Sequence, residues 1–289
     1  MNLLTRELLA RSETIHIPSR QKARFHERGE KTSLRKGSSL EFSDYREYLQ
    51  GDDIRTIDWN VYARTERLYL KLFLEEQSKP VYFLVDASES MKFGNPSKFD
   101  FARALAGLLI YSCLRRYDRP HVIFLRAGSH QRLTFHTRKQ FFPLLEKMEA
   151  EKCSGEISMN QALRQVAHSR LPRGVYFVLS DFYSIDGLDA LHLLAASGNE
   201  LNCLQILSQQ ELQPELRGDL RLLDSETGKK SEVSVSPQIL KKYHTALHRL
   251  QSRLKTAAMK SAATYYCVSS NSDLGTVLFQ DLRRKGIVA

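Results

Sequence analysis

A chain of 289 residues, 42% hydrophobic and 26% charged, can bury a sizeable core and has the balance of a globular protein. Its best apolar run, Ala102 to Leu114, is too short for a membrane span, and Arg6 and Glu7 interrupt the stretch where a signal peptide needs apolar residues. The formal charge of +10 is uneven: residues 20–36 hold seven Lys or Arg against two Glu, and residues 236–261 hold six and no acid.

Such basic runs are either a solvated face or the footprint of an anionic partner. Cys113, Cys153, Cys203 and Cys267 are far apart, without metal-ligand spacing, which fits reduced thiols and a cytoplasmic location.

In chain order, residues 2–12 are expected to form a short helix with Leu4, Leu8 and Leu9 on one side. Residues 15–40, with Gly29 and Gly37, suit irregular structure or short edge strands. A dense block follows from Glu41 to Trp59. Its Gly51-Asp52-Asp53 is a turn signal, after which Ile54, Thr56 and Asp58 alternate with Arg55, Ile57 and Trp59 in strand fashion. The only tryptophan of the chain stands among Asp52, Asp53, Arg55 and Asp58. Buried charges must be paired, so these residues are expected to form a structural network that locks the N-terminal segment against the main domain.

Arg67 to Phe73 alternates as a strand. Val81 to Val85 is a short run of β-branched and aromatic residues, long enough for a buried strand. It ends at Asp86 and is followed by Ser88 and Ser90, three oxygen-bearing side chains at alternate positions. Ser97 and Asp100 then open the helix Lys98 to Tyr117 in capping-box spacing. One reading makes Ser88 and Ser90 caps for backbone amides of the next helix. The other makes the strand end a ligand site on an α/β sheet.

Strands are expected at His121–Leu125 and Gln131–His136, joined as a hairpin through Gly128-Ser129. Helices follow at Lys139–Met148 and Asn160–Ser169, then a buried strand Val175–Ser180 that ends at Asp181 as Val85 ends at Asp86. Helix Leu188–Ala196, strand Leu201–Leu207, an inserted hairpin over Gly218–Val235 around Glu226-Thr227-Gly228, a basic helix Gln238–Lys260, strand Thr264–Val268 and helix Leu274–Lys285 complete the chain. This alternation predicts an α/β fold with a mostly parallel sheet, one antiparallel edge strand and helices on both faces. If the strands ending at Asp86 and Asp181 are neighbours, the two carboxylates converge above the sheet.

Asp86-x-Ser88-x-Ser90 after a buried strand resembles the metal-ion-dependent adhesion site of von Willebrand factor A-type domains. The block Tyr48-x-x-Gly51-Asp52-Asp53-x-Arg55-x-Ile57-Asp58-Trp59, with Ala63-Arg64-Thr65 and Glu75-Glu76 before Asp86, resembles a bacterial family of such proteins. That family is catalogued as domain of unknown function fifty-eight, and its genes often neighbour MoxR-type AAA+ ATPases. The resemblance implies a von Willebrand factor A-like domain over 79–289, with the hairpin near 218–235 inserted, behind an N-terminal extension over 1–78. It also implies Mg²⁺ held by Ser88 and Ser90, with Asp86 and Asp181 acting through water. The family's threonine ligand has Ile157 in its place here, and Ser158 is the candidate replacement. The function implied is a non-enzymatic protein-interaction module, an adaptor to a MoxR-type ATPase in protein assembly or remodelling.

Two other functions are open on the residues. A nucleic-acid or acidic-surface binder would use residues 20–36 and 241–260, although His244 and His248 have no carboxylate companion for a metal. A Mg²⁺-dependent phosphohydrolase or nuclease would need a base or nucleophile beside the metal and hydrogen-bond donors for a phosphate, for which Glu89 and Lys92 are the candidates by sequence proximity.

Overall fold

The computed structural model describes residues 4–19, 41–52, 54–74, 79–128, 130–183, 188–216, 218–223 and 230–289. In chain order these form helix α1 (Arg6–Ser12), strand β1 (Glu41–Glu47), helix α2 (Trp59–Thr65), strands β2 (Tyr69–Leu74) and β3 (Pro80–Asp86), and helix α3 (Lys98–Arg115). Strands β4 (Arg119–Leu125) and β5 (Gln131–Thr134), helices α4 (Phe141–Ala150) and α5 (Met159–His168), strand β6 (Val175–Ser180) and helix α6 (Leu188–Ala196) follow. The rest is β7 (Glu200–Leu207), one-turn α7 (Gln209–Leu212), β8 (Gly218–Leu223), β9 (Lys230–Val235), α8 (Pro237–Lys260) and β10 (Thr264–Ser269). Short α9 (Leu274–Thr276), a π-helical turn Val277–Asp281 and α10 (Leu282–Arg284) close it.

Six strands make the main sheet in the order β10-β7-β6-β3-β4-β5. All neighbours are parallel except β4 and β5, which pair as the expected antiparallel hairpin at one edge. Strand β3 is central because both its faces are apolar. Val81, Phe83 and Val85 point into the core shared with α3, while Tyr82 and Leu84 point into the core shared with α5 and α6. Aromatic side chains stack across neighbouring strands, Tyr82 on Tyr176 at 4.5 Å and Phe83 on Phe177 at 5.0 Å between ring centroids. Helix α3 is buried almost all round, which is why its apolar residues do not stop at one stripe.

The described residues fall into two compact units, one within 1–22 and 79–289, the other within 23–78. Residues 4–19, at the head of the expected N-terminal extension over 1–78, group with the main unit. Leu9, Ile15 and Ile17 are buried in the α3 side of the core, and His16 exchanges both backbone hydrogen bonds with Ala289.

In the smaller unit β1 and β2 pair antiparallel. The strand-like alternation over Ile54–Trp59 is overruled: Ile54–Thr56 is a 3-10 turn and Trp59 starts α2. The cause is local. Asp58 caps α2, its Oδ1 accepting the Asn60 amide at 2.9 Å, and its Oδ2 accepts the Tyr45 hydroxyl at 2.9 Å. Asp52 accepts from Arg46 and from the Leu49 amide, each at 2.9 Å, and the Arg46 hydrogen bond holds its carboxyl below the usual range. Trp59 is 61% exposed and meets Tyr62 edge-on, so the buried centre of this polar group is Asp58, not the tryptophan. Arg55 is exposed, and Asp53 lies outside the described residues, as do residues 20–36 and the turn at Glu226-Thr227-Gly228.

Truncating Leu9, which is 5% exposed, tests the placement of the first residues. Leu9→Ala is expected to lower unfolding stability by about 2–4 kcal/mol in a urea titration. A change within about 0.5 kcal/mol would place the segment outside the cooperative core.

Candidate functional site

The carboxyl ends of β3 and β6 lie side by side, Val85 pairing with Leu179, so Asp86 and Asp181 leave the sheet as neighbours. Both are buried, at 3% and 2% exposure. Backbone and hydroxyl donors occupy Asp86: its Oδ1 accepts the Ser88 amide at 2.9 Å and its Oδ2 the Ser180 hydroxyl at 2.6 Å. Burial, followed by the Asp181 charge, pushes the Asp86 carboxyl up to about 6 despite these donors. The strand-end geometry expected from the sequence is present.

Ser88 and Ser90 stand in front of these carboxylates with their hydroxyl oxygens 3.0 Å apart. The two hydroxyls are hydrogen-bonded to each other, and their separation is also close to the about 3.0 Å between neighbouring ligands of an octahedral Mg²⁺ with arms of about 2.1 Å. Ser88 makes no side-chain cap to the 3-10 turn Glu89–Lys92, against the reading of these serines as caps. The loop after α4 crosses here, the Ser154 amide donating to Ala87 O at 2.9 Å and the Glu89 amide to Gly155 O at 3.0 Å. Its Ile157 side chain is buried in the core with no oxygen to offer, and Ser158 is engaged as the cap of α5, accepting the Gln161 amide at 3.3 Å. Among the described residues no three His, Cys, Asp or Glu side chains gather as a metal set. A cation here would depend on hydroxyls.

The centre of the site is a residue that the sequence presented only as a helix start. Lys98 is fully buried, and its Nζ donates to Asp181 Oδ2 at 2.8 Å and Glu211 Oε1 at 2.7 Å. Burial opposes the ammonium charge, but the Asp181 and Glu211 carboxylates outweigh it and hold its pKa above the ordinary value. The same ammonium lies 4.9 Å from the centroid of the Tyr183 ring. Glu211 does two tasks, since its other oxygen closes the capping box of α7 through the Ser208 amide at 2.7 Å. Buried Gln205 donates to the main-chain oxygen of Asp181 at 2.9 Å and accepts from the Tyr265 hydroxyl at 2.6 Å.

Two backbone facts complete the rim. Phe182 has φ of 56°, a left-handed conformation that costs a bulky residue energy, and the Ser180 hydroxyl accepts its amide at 2.9 Å. Glu89 and Lys92, the enzyme candidates, pair with each other at 2.5 Å on the exposed turn. Lys98, Ser180, Glu211 and Gln205 carried no motif. The one readable signal was Ser208-x-x-Glu211, visible as a capping box but silent about the second oxygen.

The Ser88 and Ser90 hydroxyls, with the Asp86 carboxylate beside them, are the donors that suit a divalent cation, and one position of the expected set is unfilled at Ile157.

Residues 44–253 match the family described as "Protein of unknown function DUF58". The chain is similar to "Uncharacterized protein Rv1480" of Mycobacterium tuberculosis, 24% identical over 240 residues, covering 81% of this chain and 75% of that one. Among solved structures it is similar to the conserved hypothetical protein BatB of Bacteroides thetaiotaomicron, with 14% identity and a TM-score of 0.46 over 72% of this chain and 98% of that one. An aerotolerance-related membrane protein of Bacteroides fragilis gives 17% identity and a TM-score of 0.47 over 71% and 99%.

Lys98→Met is expected to cost about 3–5 kcal/mol of stability in a urea titration, because two buried carboxylates lose their counter-charge. Adding Asp181→Asn and Glu211→Gln should recover most of the loss. A second outcome concerns pH in the presence of a chelator. The folded Asp86 carboxyl, at about 6, lies above its ordinary value of 3.8, so the native state binds the extra proton and loses stability as pH rises between these values. Urea midpoints of Asp86→Asn should not share this fall, and parallel profiles for wild type and variant would exclude the assignment.

Proposed function

Because the chain belongs to the DUF58 family of von Willebrand factor A-like proteins, we propose that it is a protein-interaction module whose contact point is the rim formed by Asp86, Ser88, Ser90 and Asp181. The observation that carries this reading is the pair of serine hydroxyls 3.0 Å apart, backed by two buried carboxylates from adjacent strand ends. Ser88 and Ser90 would hold Mg²⁺ directly. Asp86 and Asp181 keep their oxygens committed to protein donors and face the ion from behind, through water. Bound there, Mg²⁺ supplies an electrophilic centre that a carboxylate of a partner protein completes. Neutral hydroxyls leave that charge less quenched than carboxylate ligands would, which favours an acidic partner side chain.

Lys98 sets the strength of this site. By neutralising Asp181 it weakens the attraction for a cation, and by holding the β6 end and α7 together it keeps the rim assembled without one. Affinity for Mg²⁺ is therefore modest, the more so because Ile157 supplies no oxygen. No bond is broken in this reading, and the Glu89–Lys92 pair has no part in it.

The family resemblance supplies the partner class. We assign the contact to a MoxR-type AAA+ ATPase, with this chain as adaptor in assembling or remodelling another protein. All four cysteines are free thiols, which supports a cytoplasmic setting for that work. Among the described residues no helix is long and apolar enough to cross a membrane.

Thermal melts with and without MgCl₂ test the metal. With ion at about ten times the dissociation constant, wild type should gain about 1.4 kcal/mol, and Ser88→Ala and Ser90→Ala should gain nothing. Co-purification with a MoxR-type ATPase should then fail on chelation and in Asp86→Ala and Ser88→Ala. Recovery unaffected by all three would move the contact to another surface.

A further inference from the structure

Helix α8 carries Lys241, Lys242, Arg249, Arg253, Lys255 and Lys260 and no acidic residue, and all six side chains are exposed. Among the described residues none of the six makes an ion pair or a side-chain hydrogen bond, whereas the arginines and lysines of the sheet end and of α3 are mostly paired. Lys242, Arg249, Arg253 and Lys260 are separated by seven, four and seven residues. Those steps are close to whole helical turns, so the four cations lie on one line about 27 Å long. The opposite side of α8 is committed to the core through Leu247, Leu254 and Ala258, which fixes the basic line outward.

This line borders a built concavity. Arg249, Arg253 and Lys260 form one wall of an open groove of about 680 Å³, and Asp189 and His192 of α6 form the other. A second hollow of about 520 Å³ continues it past Arg249 to Lys241 and Lys242. Hydroxyls of Ser252 and Thr256 stand between the cations on the groove wall. A flat lipid surface would want apolar side chains to insert, and the groove offers only Ala257. A single nucleic-acid strand would want stacking rings, and the only ring in the lining is the His192 imidazole. A narrow polypeptide with acidic side chains suits both the concavity and the charge, with Asp189 and the hydroxyls available to its main-chain groups.

We propose that the α6–α8 groove is a docking site for an acidic segment of a partner polypeptide, recognised by Lys242, Arg249, Arg253 and Lys260. It involves no residue of the Asp86 rim and does not depend on a metal there.

A fluorescein-labelled decaglutamate peptide, titrated with the full chain at about 50 mM and about 200 mM salt, reads this out by anisotropy. Wild type should bind, more weakly at the higher salt. The triple variant Arg249→Glu, Arg253→Glu, Lys260→Glu should bind roughly tenfold more weakly or worse. A variant with the same change in net charge elsewhere, Lys139→Glu, Lys147→Glu, Lys285→Glu, should lose less than about threefold. Circular dichroism and melting confirm folding, and the Gln triple at the groove positions replaces the Glu triple if the latter unfolds. Equal losses in the two triples would reduce the effect to net charge and overturn the proposal. So would no binding of the peptide by wild type, or tighter binding of a short DNA duplex or of phosphatidylserine vesicles.

Discussion

Two carboxylates delivered by adjacent parallel strands to the same buried rim repel each other, and the main unit is built around relieving that repulsion. The Lys98 ammonium is the principal relief. It enters from the first turn of α3, fully buried, and joins Asp181 to Glu211. Its energetic weight comes from its surroundings: a charge pair without solvent is costly to assemble and more costly to break. Asp86 is relieved differently, by the Ser180 hydroxyl and the Ser88 amide, and these donors are not enough to bring its pKa down to the ordinary range.

The Lys98 bridge also ties together the elements that meet at this end of the sheet. Here Lys98 and Glu211 brace β6 against α7, and Gln205 with Tyr265 braces it against β7 and β10. The left-handed Phe182 is held in the same frame, its side chain buried and its amide taken by Ser180. The rim and the α8 groove also differ in how their charges are held. At the rim charge is buried, paired and tuned by neighbours, while along α8 it is exposed, unpaired and screened by salt.

The smaller unit shows how one side chain can redirect local structure. Alternation over Ile54 to Trp59 is a fair strand pattern, yet a short acid at position 58 can accept the Asn60 amide and start a helix instead. Periodicity over six residues is too weak to resist a cap. Trp59 then projects outward, where a composition argument would bury it.

Much of the architecture was legible in the residues because the signals were local and repeated. Apolar runs bounded by polar residues gave β3, β6 and β7; the cap Ser97 gave α3; the spacing Asp86-x-Ser88-x-Ser90 and the matching strand end at Asp181 gave the rim. Strand periodicity and caps act over a few residues, so one dimension suffices to see them. The charge line on α8 was half visible: composition showed the cations, but which of them share a groove with Asp189 and His192 depended on α6 packing beside α8. Partners 83 and 113 residues from Lys98 could be assigned only by the folded chain, as could the inclusion of Leu9, Ile15 and Ile17 in the main core. A long-range ion pair leaves no periodicity or spacing behind, since its energy depends on burial and distance, and both come into existence only when the sheet closes.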